Sequence, residues 1–195
     1  MRYLILLAGL AAVCCFSACG IAPPTENLNM AKAAIAKAEE AKADRFAAEE
    51  YKAANDDLSS GESTMVQKKN KKNKDAKKKF ETSQKQAEAA YVKAAPAYAQ
   101  YNIDEAGTVK KNADEIKASV AVKEQYEKAK ALLDESSAAK AAGKFEEAWT
   151  KAAQAKALFD DVYKVTVEKK TSADDAMKNA DSAIRNAEEK QGEGK

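Results

Sequence analysis

The chain has 195 residues, of which 33 are Lys or Arg and 31 are Asp or Glu, so its formal net charge is only +2. This balance gives no sign of a nucleic-acid partner. The chain has no His, and its three Cys all lie at or before position 19, which excludes a disulfide framework and the usual His/Cys metal sites from everything that follows. Few Gly and Pro and much Ala, Glu and Lys favour long helices.

The first 18 residues are predicted to be a signal peptide. Arg2 supplies a positive start, and the apolar run over residues 3–13 is too short to cross a bilayer. The tetrapeptide Phe-Ser-Ala-Cys that ends at Cys19 resembles the bacterial lipobox, in which small residues precede a cysteine that is acylated and becomes the first residue. Phe16 departs from this pattern, where Leu is usual. The alternative is an ordinary secretory signal with an incidental cysteine.

The resemblance implies a covalent lipid on Cys19, and no other cofactor is expected. Acyl chains on this residue would hold the protein on a membrane. Gly20 follows the cysteine, whereas an Asp at that position retains enterobacterial lipoproteins in the inner membrane. The predicted location is therefore the cell envelope, lipid-anchored, with the outer membrane favoured.

An internal repeat organises the rest of the chain, after a first helix that Thr25 is predicted to cap. The pattern Tyr-x-x-Ala-x-x-x-Leu occurs at residues 51–58 and again at 126–133. Each copy is followed by a Lys-Phe pair and a stripe of small or apolar residues spaced by three and four, over 80–94 and 145–159. These features indicate two copies of one antiparallel helical hairpin, and chance similarity between Ala-rich helices is the alternative.

The predicted fold is all-α, an elongated antiparallel helical bundle of two related helical hairpins plus an N-terminal helix. Gly61 and Gly143 are expected to end helices near the hairpin turns, and Pro96 is expected to kink or end its helix. Residues 102–107 are expected to connect the two copies. The predicted division is a signal peptide over 1–18, a lipidated tether over 19–25, hairpins over 26–101 and 102–190, and a disordered tail over 191–195.

The segment over residues 31–94 resembles an alanine-rich hairpin domain of bacterial envelope lipoproteins. The residues that carry the resemblance are Ala31, Ile35 and Ala38, then Tyr51, Ala54 and Leu58, then Phe80, Ala87 and Ala90. The second hairpin repeats the later part. Relatives often carry a C-terminal peptidoglycan-binding domain that this sequence does not contain, so the resemblance implies an envelope role without that activity.

The sequence contains no catalytic constellation. Without His there is no Ser-His or Cys-His pair, and no glycine-rich loop is present to hold a phosphate. Carboxylates that are adjacent in sequence, such as Glu39 and Glu40, point apart on a helix. We therefore expect no enzymatic activity.

The lysine run over residues 68–79 is the strongest local charge anomaly, since eight of its twelve residues are Lys and only Asp75 opposes them. Its lysines are Lys68, Lys69, Lys71, Lys72, Lys74, Lys77, Lys78 and Lys79. The run is a candidate polyanion site for anionic lipid head groups, acidic cell-wall polymer or a glycosaminoglycan. The alternative is a hairpin turn whose charges stay in water.

The predicted function is that of a non-enzymatic, membrane-anchored envelope lipoprotein with a structural role or a protein or cell-wall polymer as partner. The alternative is a binding module. It would bind polyanions through the lysine run, or peptides like a tetratricopeptide protein, because residues 143–148 are similar to the start of the second helix of such a repeat.

Overall fold

The computed structural model describes residues 22–67 and 70–192, and it confirms the all-α fold. Within these residues the chain is almost entirely helical and contains no strand. The helices are α1 (Thr25–Glu40), α2 (Ala43–Phe46), α3 (Ala48–Met65), α4 (Asn70–Glu115), α5 (Ala118–Ala121), α6 (Lys123–Ala141) and α7 (Phe145–Gly192). The predicted signal peptide, Cys19, Lys68 and Lys69 lie outside the described residues.

The first unit of the bundle consists of α1, α3 and the first half of α4. Ala31 near the start of α1 shares a buried cluster with Phe80 near the start of α4. Further along both helices, Ala38 shares a cluster with Ala90. Helices α1 and α4 therefore run in the same direction. Helix α3 runs in the opposite direction, because Leu58 in its second half packs on the cluster that contains Phe80.

The second unit has the same arrangement and consists of the second half of α4, α6 and the first half of α7. Ala99 on α4 shares a cluster with Ala139 near the end of α6 and with Ala148 near the start of α7. Further along α4, the core includes Tyr126 near the start of α6 and Phe159 on α7, whose rings meet edge to face at 5.6 Å. Helices α4 and α7 are thus parallel, with α6 antiparallel to both.

Helix α4 belongs to both units. Its 46 residues span about 69 Å at 1.5 Å per residue. The predicted connection over residues 102–107 is wrong, because this segment lies inside α4. Ala106 in its middle is fully buried in the second core. A glycine such as Gly107 lowers the stability of a helix by only about 1 kcal/mol, which is too little to end a helix that other helices pack against in both units.

The predicted end of this helix at Pro96 does not occur either. Proline lacks the N–H that would bond to the carbonyl of Val92 one turn earlier. Val92 is 70% exposed, so this interruption of the hydrogen-bond ladder faces solvent, where water can bind the carbonyl. Ala94 and Ala95 beside the proline are fully buried, and their packing holds the helix together through this point.

Both units pass from their first to their second helix through the same backbone geometry. Lys42 and Lys117 adopt the left-handed conformation, with φ of 55° and 62°. Each is followed by a four-residue helix and then by Ala47 (φ −148°, ψ 47°) or Val122 (φ −140°, ψ 53°). The spacing of 75 positions between 42 and 117 is also that of the two Tyr-Ala-Leu motifs. The repeating element is therefore a three-helix unit, one helix longer than the predicted hairpin.

Of the two glycines predicted to end helices, Gly143 does so and Gly61 does not. Gly143 has φ 74° and ends α6, as predicted, with its N–H bonded to the carbonyl of Lys140 at 3.0 Å. Gly61 instead lies inside α3 and faces the buried ring of Phe80, so it provides close packing and not a turn. Helix α1 begins at Thr25 itself, without a side-chain capping bond from that residue.

A polar group ties α4 to α6 beside the second left-handed lysine. The hydroxyl of Tyr126 donates a hydrogen bond to Asp114, which also pairs with Lys110 at 2.7 Å. Burial by itself would raise the pKa of Asp114, but the bonds from Lys110 and Tyr126 outweigh it and leave that pKa below its usual value. Burial and the bond to Asp114 raise the pKa of Tyr126. This group stabilises the turn that separates the second unit's first two helices.

Aromatic rings pack where the two units meet. Phe46 lies 6.0 Å from each of Tyr98 and Tyr101, and Tyr98 lies 5.2 Å from Trp149 between ring centroids. The guanidinium of Arg45 lies 4.3 Å from the centroid of the Tyr101 ring. Contacts of this kind each contribute about 0.5–1.5 kcal/mol beyond the area they bury. They connect α2, α4 and α7, so the junction is packed and not only linked by the shared helix.

Candidate anion-binding tip

The lysine run lies at the turn between α3 and α4, at one end of the first unit. Of its eight lysines, six have described side chains, all in the first three turns of α4. We call these six residues the lysine tip: Lys71, Lys72, Lys74, Lys77, Lys78 and Lys79. Lys68 and Lys69, which belong to the same sequence prediction, lie outside the described residues.

Helical periodicity separates this part of α4 into a buried face and a charged face. Asn73, Ala76 and Phe80 are buried, at the spacing of three and four that defines one side of a helix. Lys71, Lys74 and Lys78 have the same spacing on the opposite side and are exposed. The sequence therefore fixes the direction of these lysines, because the packing of Phe80 leaves them no alternative to solvent.

Two of the remaining lysines of the tip have partners on α3 or α4. Lys77 pairs with Glu81 at 3.7 Å, and Lys79 donates a hydrogen bond to the hydroxyl of Ser60 on α3. Lys72 is half-buried and lines a shallow open groove that also contains Thr64, Asp75, Lys78 and Lys79. Asp75 and Glu81 offset two of the six positive charges. The tip presents a clear excess of positive charge to any surface that it touches.

The start of α1 lies at the same end of the molecule as the lysine tip. Leu28 in the first turn of α1 and Met65 at the end of α3 pack on the cluster formed by Ala31, Ala76 and Phe80. In the next turn, Lys32 pairs with Glu62 on α3 at 2.8 Å. The first turns of α1 are thus fixed against the last turn of α3 and the first turns of α4.

The opposite end of the molecule carries a second candidate surface. Thr166 is buried and donates to the carbonyl of Val162 at 2.7 Å, and Lys169 reaches the carbonyl of Ala121 at 2.9 Å. All side chains of α7 over residues 167–188 are exposed. They include the apolar side chains of Met177 and Ile184, 61% and 56% exposed. Beyond Lys169, this length of helix continues past the second unit.

Residues 22–67 and 70–192 offer few other kinds of site. In this part of the chain, no three carboxylate or thiol side chains come together in a way that would bind a metal ion. No helix in the same residues combines the length and the apolar character that crossing a membrane requires. Neither a protein-family model, nor a curated protein, nor a solved structure matches the chain. The resemblance to an alanine-rich envelope domain therefore stays a prediction.

Sequence reasoning identified the lysines but not their neighbours. The proximity of the α1 N-terminus to the lysine tip depends on whether α1 runs parallel or antiparallel to α4, and heptad spacing is the same in both cases. The pairing of Lys32 with Glu62 joins residues 30 positions apart and has no local signal. The left-handed lysines that set the direction of each unit were also missed, since Lys is not a residue that favours this conformation.

Proposed function

We propose that the chain is a non-enzymatic lipoprotein of the cell envelope, acylated at Cys19, with the outer membrane favoured. In this proposal it acts as an elongated structural or interaction protein. The observation that carries it is the separation of the two ends of the molecule. The segment that leads to Cys19 enters at the α1 end, and the exposed part of α7 leaves at the other.

The distance between these ends supports a spacer or reaching role. Helix α4 is about 69 Å long, and Thr166 of α7 lies beside Ile116 just past its end. The 26 residues after Thr166, up to the end of α7, extend about 39 Å further. A protein anchored at Cys19 would therefore offer the far part of α7 to an envelope protein or a cell-wall polymer about 100 Å from its anchor.

The second candidate function is that of a binding module, and only binding of polyanions has support among the described residues. The exposed excess of lysine at the tip favours it. A tetratricopeptide-like peptide binder receives less support, because such a unit contains two helices in 34 residues. Here the left-handed turn recurs after 75 positions, from 42 to 117, and helix α7 alone has 48 residues.

The direct test of the anchor is metabolic labelling with radioactive palmitate in a bacterial host. We expect the wild-type chain to carry label and to fractionate with membranes. The variant Cys19→Ala should lose the label and keep its signal peptide, because the acylated thiol is gone. A matched control is the double variant Cys14→Ala/Cys15→Ala, which removes the two other cysteines and should label normally. Label on Cys19→Ala, or none on the wild type, would contradict the proposal.

A further inference from the structure

We infer that the lysine tip docks on anionic phospholipid head groups of the leaflet that holds the acyl chains, so that the protein attaches through both a lipid and a basic surface. This inference rests on the proposed acylation of Cys19. It adds a partner, the anionic membrane surface, and a second contact that fixes which end of the molecule faces that surface.

The N-termini of the parallel helices α1 and α4 lie at nearly the same level along the bundle. Ala31 shares its cluster with Ala76 and Phe80. Thr25 precedes Ala31 by six residues, about 9 Å along α1, and Lys71 precedes Ala76 and Phe80 by about 8 and 14 Å along α4. Lys71 therefore lies level with Thr25 or up to one turn beyond it, on the side from which the tether arrives.

The tether between Cys19 and α1 is short. Five residues, 20–24, separate Cys19 from Thr25, and an extended chain covers at most about 3.5 Å per residue. The start of α1 is thus held within about 20 Å of the acylated residue. Because the lysine tip is level with this point, its lysines reach head groups by a small tilt or bend of the tether.

The charge of the tip and the proximity that the anchor provides both favour an anionic membrane surface as the partner. Lys71, Lys74 and Lys78 point away from the core, and each lysine close to an anionic surface favours binding roughly fivefold. Opposing carboxylates at this end are already paired in part, Glu62 with Lys32 and Glu81 with Lys77. Screening limits the attraction to about 8 Å at physiological salt, and the tether, which keeps the start of α1 within about 20 Å of Cys19, allows the tip to come this close to lipid. A soluble polyanion has no such tether, and this favours lipid as the occupant.

The test uses the acylated chain reconstituted in vesicles with and without anionic phospholipid. Beyond acylated Cys19 the chain has no cysteine, so Gln67→Cys introduces a single reactive thiol in the exposed turn beside the tip. A spin label at this position reports collisions with a nickel chelate attached to lipid head groups. The same label at Asn179→Cys, on the exposed part of α7, serves as the distant reference.

The lysine variant changes charge without disturbing the fold. It replaces residues that make none of the described contacts with Ser60 or Glu81, namely Lys71→Gln, Lys72→Gln, Lys74→Gln and Lys78→Gln. A matched control removes four exposed lysines of the second unit, namely Lys111→Gln, Lys123→Gln, Lys128→Gln and Lys130→Gln. Circular dichroism should be the same for both variants and the wild type, since surface lysines contribute little to stability.

We expect the label at position 67, and not the one at 179, to lie at the head groups of anionic vesicles. The lysine variant should lower the ratio of docked to undocked tips by about 600-fold if all four lysines reach the surface, since each favours binding roughly fivefold. The control variant should leave it unchanged. Salt near 1 M, where the screening length is about 3 Å, should abolish the difference between lysine variant and wild type.

Two results would overturn the inference. In one, the label at position 67 stays equally close to the head groups in the lysine variant or in zwitterionic vesicles, so that the tether alone sets its position. In the other, an acidic glycan at equal charge concentration removes the tip from anionic vesicles, so that lipid is not the preferred occupant. A mass spectrum of the purified chain comes first: an unacylated N-terminus would refute the proposed function itself, separately from either result.

Discussion

Replacing Gly61 by Ala tests whether close packing, and not helix termination, explains this glycine. A Cβ at position 61 would lie 2.4 Å from Cε1 and 2.7 Å from Cδ1 of Phe80. The ring is fully buried between three helices and cannot swing out as a long flexible side chain would. The variant must therefore separate α3 from α4 or displace the ring.

Two effects of opposite sign determine how much Gly61→Ala changes the free energy of unfolding. Forcing an extra methyl group into a packed core costs about 1–3 kcal/mol. Ala in place of Gly inside a helix returns about 1 kcal/mol. We expect Gly61→Ala to lower the free energy of unfolding by about 1–2 kcal/mol, because the contact is with the body of the ring. Gly107→Ala is the matched control, since a Cβ there meets nothing within 4 Å, and it should stabilise by about 1 kcal/mol.

Urea denaturation followed by circular dichroism measures both variants. A third variant, Gly61→Ala/Phe80→Leu, should lose less than the sum of its single changes, because the smaller side chain makes room for the new methyl group. If Gly61→Ala instead stabilises the protein as much as Gly107→Ala does, the close approach of Phe80 to α3 is not a property of the folded chain, and the packing argument is refuted.

Three other predictions follow from the backbone and from charge. Lys117→Gly should raise the free energy of unfolding by up to about 1 kcal/mol, because Gly adopts the left-handed conformation without steric strain. Lys111→Gly inside α4 should lower it by about as much, and a shift of the same sign in both variants would contradict this prediction. Removal of residues 171–195 should change the free energy of unfolding by less than about 0.5 kcal/mol, because α7 makes its last described contact with the bundle at Lys169. Folding lowers the pKa of Asp114, so this carboxylate stabilises the protein at neutral pH, and that stabilisation is lost as the pH falls below about 4. Tyr126→Phe removes one of the hydrogen bonds that lower this pKa, so its melting temperature should drop less in acid than that of the wild type.

The sequence was sufficient for the fold class and for most of the core. Ala54 and Ala129, assigned to equivalent positions from spacing alone, are both fully buried, and so are Phe80 and Phe159. Alternation of three and four residues specifies which side of a helix is buried, whatever the helix packs against. This explains why the outward direction of the lysines also follows from the sequence.

The connections between helices are harder to predict from the sequence, because an Ala-rich chain gives weak signals for where helices end. Residues 102–107 contain Asn, Asp and Gly, each of which favours a turn in isolation, but the buried stripe on α4 outweighs them. Within the two units, the break between the first and second helix occurs at Lys42 and at Lys117, residues with good helix propensity. There the second helix must reverse to cover the first, so tertiary packing determines the backbone and local preference does not.

The parallel course of α1 and α4 brings the tether to Cys19 and the lysine tip to one end of the molecule. A single distance tests it: pulsed electron paramagnetic resonance between spin labels at Glu26→Cys and Lys71→Cys in the acylated chain, where Cys19 itself cannot react. Adjacent helices lie 8–10 Å apart, so we expect a distance of about 10–25 Å with the label arms included. If α1 ran antiparallel to α4, Glu26 would move about 20 Å or more along α4, and a distance of about 30 Å or longer would contradict the account.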